Sequence, residues 1–299
     1  MPKTHYLPQH VLRHFHGKNL FEFHKATGQV SPRNIRKAAQ EIDLYPERLE
    51  RGLFEELDNY SALLFKETIY KQRYIALDLC EKQRLSEWLL LFAIRIPLNL
   101  ERCEQQARHW NENPIEKITF VRKEMSSVMA QLAREQPERY AEAVEKMGES
   151  ELHRILEERL TYEMLNRSVD GKPGFVQMHE SGNHRKFAYH LYKMQWTWLW
   201  THGDFIISDN PLCCWHTKLK KVGHGLSGRH LEMTIPLTKK VALYMHRRDV
   251  YPENAICNRV WTKNLNRRQI ANGYEKLYGP SKEQLEKLLG IHPAAKGAL

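Results

Sequence analysis

From about Pro46 to Asn166, apolar residues recur at steps of three and four. In LERGLFEELDNYSALLFKETI the positions Leu49, Leu53, Leu57, Tyr60 and Leu64 fall on one helical stripe. EWLLLFAIRI is apolar nearly all round and reads as a buried helix with Ser86 as its cap; Pro97 breaks or restarts it. Ile115–Leu132, Pro137–Met147 and Ser150–Asn166 continue the helical pattern, and Ser150 with His153 makes half of a capping box.

On either side of this block the period changes. LFEFHKATGQV, residues 20–30, alternates toward a Thr-Gly turn, with Leu20, Glu22 and His24 on one face and Phe21 and Phe23 on the other. Ser31-Pro32 then looks like an N-cap with Pro in the first turn, so IRKAAQEI is expected to be a short helix. The turn-rich VDGKPG, residues 169–174, ends the helical block. MQWTWLWTH sets Trp196, Trp198 and Trp200 on one face of a strand; FIISDNP, LEMTIPL and VALYMHR are further strands. Helical spacing returns over 264–278 and again from Ser281 to Leu289.

The order strand, helices, strands, helices defines an α+β chain. The expected topology is an N-terminal strand joining a C-terminal, mostly antiparallel sheet, with a large inserted helical block and C-terminal helices. The expected boundaries are one domain over 1–290. Within it, 33–166 is the helical insertion, 1–32 and 170–280 hold the sheet, and 291–299 form a loose tail.

Composition narrows the class. The chain is 41% hydrophobic and 27% charged, enough to bury a core and too apolar for disorder. Net charge is +10 and the pI is near 9.3, which favours an anionic partner such as RNA or DNA. The pairs Lys220-Lys221, Lys239-Lys240, Arg247-Arg248 and Arg267-Arg268 concentrate that charge in the last third. Five cysteines without a C-x-x-C pair suggest reduced thiols and a cytoplasmic setting. No apolar signal segment opens the chain, and no apolar run approaches the ~20 residues of a membrane span.

Several short motifs carry candidate chemistry. HYLPQHVLRHFH, residues 5–16, holds four histidines. His10 and His14 share a helical face, yet the spacing lacks the Glu of H-E-x-x-H, and packing suits them better than a metal. His5 precedes Tyr6 and the Pro8 bend, where an imidazole can serve as general base or phosphate contact. Cys213, Cys214 and His216 are close together, but adjacent strand residues point to opposite faces, which is poor metal spacing. Ser208-Asp209-Asn210-Pro211 closes a strand as a turn, a place where a catalytic carboxylate can also project. No phosphate-binding or dinucleotide-binding glycine loop is present, nor a G-x-S-x-G elbow. The tryptophan stripe reads as sheet core before it reads as a base-stacking platform.

Taken in order, H-Y-L-P-Q-x-x-L-x-x-F, LFEFHKATGQ, SPRNI, DLY, FEELDNY, Arg95-Ile96-Pro97, FIISDNPL, EMTIPLTKKVALYM and NLNRRQIANGYEKLYG resemble the bacterial family called domain of unknown function 4238. The sequence departs from that family's pattern at Thr4, where Gln is usual, at Val11, where Tyr is usual, and at Ile96 inside an R-T-P-like step. The resemblance implies a polar set drawn from distant segments: His5, Tyr6, Pro8, Gln9, Arg95, Asp209, Asn210, Pro211 and Asn266. Such a set can be a pocket or a fold-locking network.

The expectation is a nucleic-acid-directed hydrolase, a nuclease-like effector of phage defence or a toxin. His5, with Tyr6 and Gln9, would act as base or phosphate contact. Asp209, with Asn210 and Asn266, would orient it or hold a divalent ion. Arg95 would neutralise developing charge. No metal ligands are assigned, a divalent ion staying open as a cofactor. The alternative is a non-catalytic nucleic-acid or protein-binding module that uses the basic last third. Both expectations have the N-terminal arm bringing His5 to Asp209.

Overall fold

The computed structural model describes residues 3–42, 44, 47–69, 75–166, 184–222, 230–247 and 251–291. The VDGKPG turn, Arg248 and the tail beyond Ile291 lie outside them. The chain divides into two compact units, Met1–Asn99 with Met178–Leu299, and Leu100–Gln177.

The first unit is mixed α+β. Its N-terminal strand does join C-terminal strands: β2 (Leu20–His24) pairs antiparallel with β12 (Lys276–Gly279), Phe23 opposite Leu277. That sheet runs β3-β2-β12-β6, with β3 at Gln29–Arg33 and β6 at Ile207–Ser208. Gly28, with φ +66°, makes the β2–β3 turn. Ser31, Pro32 and Arg33 are therefore strand, not a helix start. Pro32 sits opposite Phe21 on the sheet edge, where its missing N–H costs no ladder bond. The expected helix over IRKAAQEI shrinks to a 3-10 turn, Ile35–Lys37, capped by Asn34 Oδ1 accepting from Arg36 N. Strand β4 (Gln40–Ile42) follows and pairs with β1 (Lys3–His5), so the expected helical insertion begins at Glu47 rather than at residue 33.

A second sheet runs β11-β5-β10-β9-β7-β8, with β5 Gln195–Thr201, β7 Cys213–His216, β8 Lys221–Val222, β9 Leu231–Pro236, β10 Val241–His246 and β11 Asn254–Cys257. All its pairings are antiparallel except β11–β5. On β5, Trp196 and Trp198 are buried as the alternation requires. Thr197, Leu199 and Thr201 on the other face are buried too. The Thr hydroxyls are satisfied there, Thr201 Oγ1 meeting Thr262 Oγ1 at 2.7 Å. Trp196 and Trp198 are core, not a platform, and Trp200 is half-buried.

After α2 (Glu47–Leu49), α3 (Glu55–Leu64) is bracketed by π-helical turns at Glu50–Phe54 and Phe65–Ile69. Helix α4 (Leu79–Ile94) starts at Asp78, not Ser86: Asp78 and Glu81 make a full capping box, and Ser86 donates to Lys82 O within the helix. Pro97 opens α5 (Pro97–Glu112). Helix α9 (His184–Tyr192) packs on α4. Helix α10 (Arg259–Asn272) ends at Gly273, so the helix expected over 264–278 becomes helix, turn and strand. A Cβ on Gly273 would lie 3.0 Å from Ser208 and Leu277 side-chain atoms, so this turn tolerates no larger residue without movement. Ser281 caps the last helix, α11 (Lys282–Leu289), as the sequence indicated.

The second unit is helical: α5 continues through it, followed by α6 (Pro114–Glu135), α7 (Pro137–Met147) and α8 (Glu149–Asn166). Val121, Met125 and Met129 of α6 bury against Leu152 of α8, with Tyr140 and Val144 of α7 alongside.

Candidate functional site

The N-terminal arm positions the first predicted residues. His5 ends β1, Tyr6 follows, and Pro8 leads into the one-turn α1 (Gln9–Arg13). Successive residues of an extended segment point opposite ways. Tyr6 is buried, and His5 is half-buried on the other side. The predicted site therefore splits at this peptide: His5 is placed with Arg95, Tyr6 with Asp209.

His5 Nε2 lies 2.9 Å from Gln40 Nε2, 3.3 Å from Gln9 Nε2 and 3.3 Å from the Arg36 carbonyl. With its lone pair on Nε2 the ring accepts from the amides; with a proton there it donates to Arg36 O. Burial lowers its pKa below the usual imidazole value, the Arg36 carbonyl opposes that, Arg95 lowers it further, and Asp58 opposes. The result is an imidazole that favours the neutral, proton-accepting form at neutral pH.

Behind it stands a carboxylate that sequence reasoning did not select. Arg95, 1% exposed, binds Asp58 at two points: Nη1 to Oδ2 and Nη2 to Oδ1, both 2.9 Å. Trp88 Nε1 also donates to Asp58 Oδ1, at 2.8 Å. The guanidinium lies 5.4 Å from the Phe54 ring and 5.7 Å from the Phe92 ring. Arg95 is thus enclosed with a partner and does not reach a phosphate from this position. His10 packs between Phe65 and Trp88, with Nε2 3.0 Å from Ser61 Oγ. Since that hydroxyl donates to Asp58 O, the imidazole is the donor and carries its hydrogen on Nε2. Burial brings the His10 pKa down to about 4, and His14, desolvated beside Arg13, also falls to about 4. Both are packing histidines.

Beyond Gln9 and Arg36, two of the residues in contact with His5, opens a polar cleft of about 570 Å³. Its cations are Arg13 from α1, Arg33 from β3 and Arg36 from the 3-10 turn, with His16 and Gln9 beside them. All three arginines are exposed. Arg33 Nε is 3.5 Å from Glu22, which offsets part of one charge. Gln9 and Arg36 belong both to the cleft and to the shell around His5.

Asp209 has a different occupation. Its Oδ1 accepts from Tyr274 N at 2.7 Å, and its Oδ2 from Glu275 N at 2.6 Å and Lys276 N at 2.8 Å. Those amides follow directly on the end of α10, and the carboxylate turns the chain into β12. Burial raises the Asp209 pKa, and the three amide bonds oppose this. Asn266 Oδ1 accepts from Ile206 N at 3.0 Å and its Nδ2 donates to Asp204 O at 2.9 Å. Gln269 Oε1 takes Ser208 N and Oγ, while its Nε2 donates to Pro211 O. Asn210 Nδ2 donates to Asn272 O at 3.0 Å. The FIISDNP strand is therefore clamped by an amide stripe at every third residue of α10. Tyr6 joins this side, near the fully buried Tyr278; burial is the main cause that pushes both phenols above their ordinary range, and the charges of Asp209 and Glu22 add to it.

Three of the basic residues of the last third are committed inside the unit. Lys239 Nζ donates to His16 O at 3.2 Å. Lys240 Nζ binds Asp204 at 2.9 Å and the His202 and Gly203 carbonyls. Arg268 pairs with Glu232 at 3.1 Å and covers the Trp215 ring at 4.9 Å. Lys220, Lys221, Arg247 and Arg267 are exposed. Burial raises the Cys213 and Cys214 thiols to about 12 and about 11, the state of inert side chains. Among the described residues, no group of three His, Cys, Asp or Glu is placed to hold a metal ion. Nor is any described helix long and apolar enough to cross a membrane.

The site thus defines an α+β protein in which an N-terminal arm, packed on α3 and α4, borders an arginine-lined cleft. The chain belongs to the family described as Protein of unknown function (DUF4238), whose model matches residues 3–283. No curated protein and no solved structure matches it.

Asp58, Arg13, Arg33 and Arg36 were not legible in the sequence, for two reasons. Asp58 stands beside Glu55 and Glu56 in FEELDNY, and nothing in the spacing separates a buried acid from its solvated neighbours. Arg33 and Arg36 lie in PRNIRK and Arg13 twenty residues earlier, and nothing in their spacing tells that the fold brings them to one cleft.

Proposed function

We propose that the protein binds a nucleic-acid strand by its phosphates in the cleft of Gln9, Arg13, His16, Arg33 and Arg36. One observation carries this reading: arginines from three separate elements converge on one cleft of ligand size. Guanidinium forks suit phosphate oxygens, and exposed arginines lose little solvation on meeting them. The net charge of +10 would speed the approach of any polyanion. The reduced cysteines Cys80, Cys213, Cys214 and Cys257 fit a cytoplasmic setting. The test is fluorescence anisotropy with labelled single-stranded RNA and DNA, comparing the wild type with Arg13→Gln/Arg36→Gln. Affinity is expected to drop at least tenfold in the double variant. Equal affinity would remove the cleft from consideration.

A second reading adds hydrolysis, as in a nuclease-like effector of phage defence or a toxin. It is favoured by His5, a neutral imidazole joined to the cleft through Gln9 and Arg36. There it could accept a proton from an attacking hydroxyl while Arg36 neutralises the phosphate. Oligonucleotide cleavage would be followed with magnesium, with manganese and with chelator. Turnover that His5→Ala abolishes while binding persists supports the reading; no turnover under any of the three conditions leaves a binding module.

A further inference from the structure

Away from the arginine cleft, helices α4 and α9 enclose a smaller cavity of about 190 Å³, lined by Gln83, Ser86, Glu87, Arg185, Tyr189 and Tyr192 among others. Glu87 at its wall is only 9% exposed. The nearest cationic atom in an ion pair with it is Arg185 Nε, at 3.7 Å from Oε2. That exceeds hydrogen-bond length, and no described residue donates a hydrogen bond to the Glu87 carboxylate. A carboxylate this buried normally has its lone pairs filled. Arg185 itself keeps its side chain 68% exposed, at the rim.

We propose that this cavity binds a compact zwitterion, a free α-amino acid, with its ammonium on Glu87 and its carboxylate on Arg185. An ammonium group brings three N–H donors to a carboxylate that lacks them. The rim guanidinium can turn its donors to the ligand carboxylate without leaving Glu87 uncompensated. Tyr189 and Tyr192, stacked with centroids 5.9 Å apart, give an apolar wall for the side chain. A cavity of about 150 Å³ accepts benzene, so a side chain of that size fits.

The surrounding charge favours a zwitterion over a bare amine. Arg185 is the cation paired with Glu87. A bare amine would place a second cation beside that guanidinium and leave it without an anion of its own, and a bare acid would face Glu87. A ligand carrying both charges avoids both penalties.

Isothermal titration of the full chain with L-phenylalanine tests this, with phenethylamine and 3-phenylpropanoate as comparison ligands. The amino acid is expected to give saturable binding at least tenfold tighter than either comparison. Glu87→Gln, which keeps the shape, is expected to weaken it at least tenfold, and Arg185→Gln, a change at an exposed side chain, severalfold. Should Glu87→Gln fail to fold, Arg185→Gln decides. No saturable heat, amine binding as tight as the amino acid's, or variant affinities equal to wild type would each overturn the proposal. None of these results bears on nucleic-acid binding at the separate cleft.

Discussion

Arg95 and Asp58 face each other across 37 positions of sequence in a two-point ion pair, both contacts 2.9 Å. The pair is lopsided: the Arg95 side chain is 1% exposed and that of Asp58 22%. Removing the acid strands a buried cation, whereas removing the cation leaves a carboxylate that keeps Trp88 and some water.

Stability should follow that asymmetry. Breaking a buried pair from one side costs ~3–5 kcal/mol, and the partial exposure of Asp58 puts Asp58→Ala near the lower end. Arg95→Met, which preserves the contact with Phe54 and Phe92, should cost about half as much. Urea unfolding midpoints measured side by side decide it; equal losses would mean the guanidinium is not truly desolvated.

Acid should weaken the fold through His10. In the unfolded chain its imidazole takes a proton below about 6.5; in the fold burial delays this to about 4. The folded value is the lower one, so the stabilisation is complete above pH 6.5 and is lost as pH falls toward 4. The gap of about 2.5 pH units sets a ceiling of about 3 kcal/mol. His10→Gln should flatten the fall in unfolding free energy between pH 7 and pH 4.5. An unchanged slope would assign the acid sensitivity to other groups.

Asp209→Asn separates scaffold from site. The carboxylate accepts three main-chain amides, and an asparagine must turn an NH2 toward at least one of them. A loss of about 2–3 kcal/mol is expected, with oligonucleotide affinity unchanged for the protein that remains folded. Lost affinity at an unchanged melting temperature would instead make Asp209 a ligand contact.

Ionic strength reports which cations meet phosphate. On a single strand each lost contact lowers the slope of log K against log salt by about 0.7. Arg13→Gln/Arg36→Gln should therefore reduce it by about 1.4, while Lys239→Gln/Lys240→Gln should leave it alone because those ammonium groups are held by Asp204 and main-chain carbonyls. The opposite ranking would move the interface to the last third of the chain.

Periodicity made much of the fold legible. The tryptophan alternation gave β5, the stripe from Leu49 to Leu64 gave the helix carrying Asp58, Pro97 marked a helix start, and Ser281 capped the last helix. These signals are local: each depends on side chains two to four residues apart. The errors came where local signals competed. Ser31-Pro32 looks like a helix start until β2 offers its edge, and 264–278 looks continuous until Asp209 captures the three amides after Gly273.

Residue type and spacing alone thus determined an α+β chain, its principal helices and strands, and the family. Tertiary structure alone decided who meets whom. It gave Arg95 to Asp58 and Asp209 to the main chain, and it brought Arg13 to the cleft that Arg33 and Arg36 line. A hydrogen bond or ion pair between distant segments depends on how helices and sheets pack, and spacing along the chain does not encode that distance.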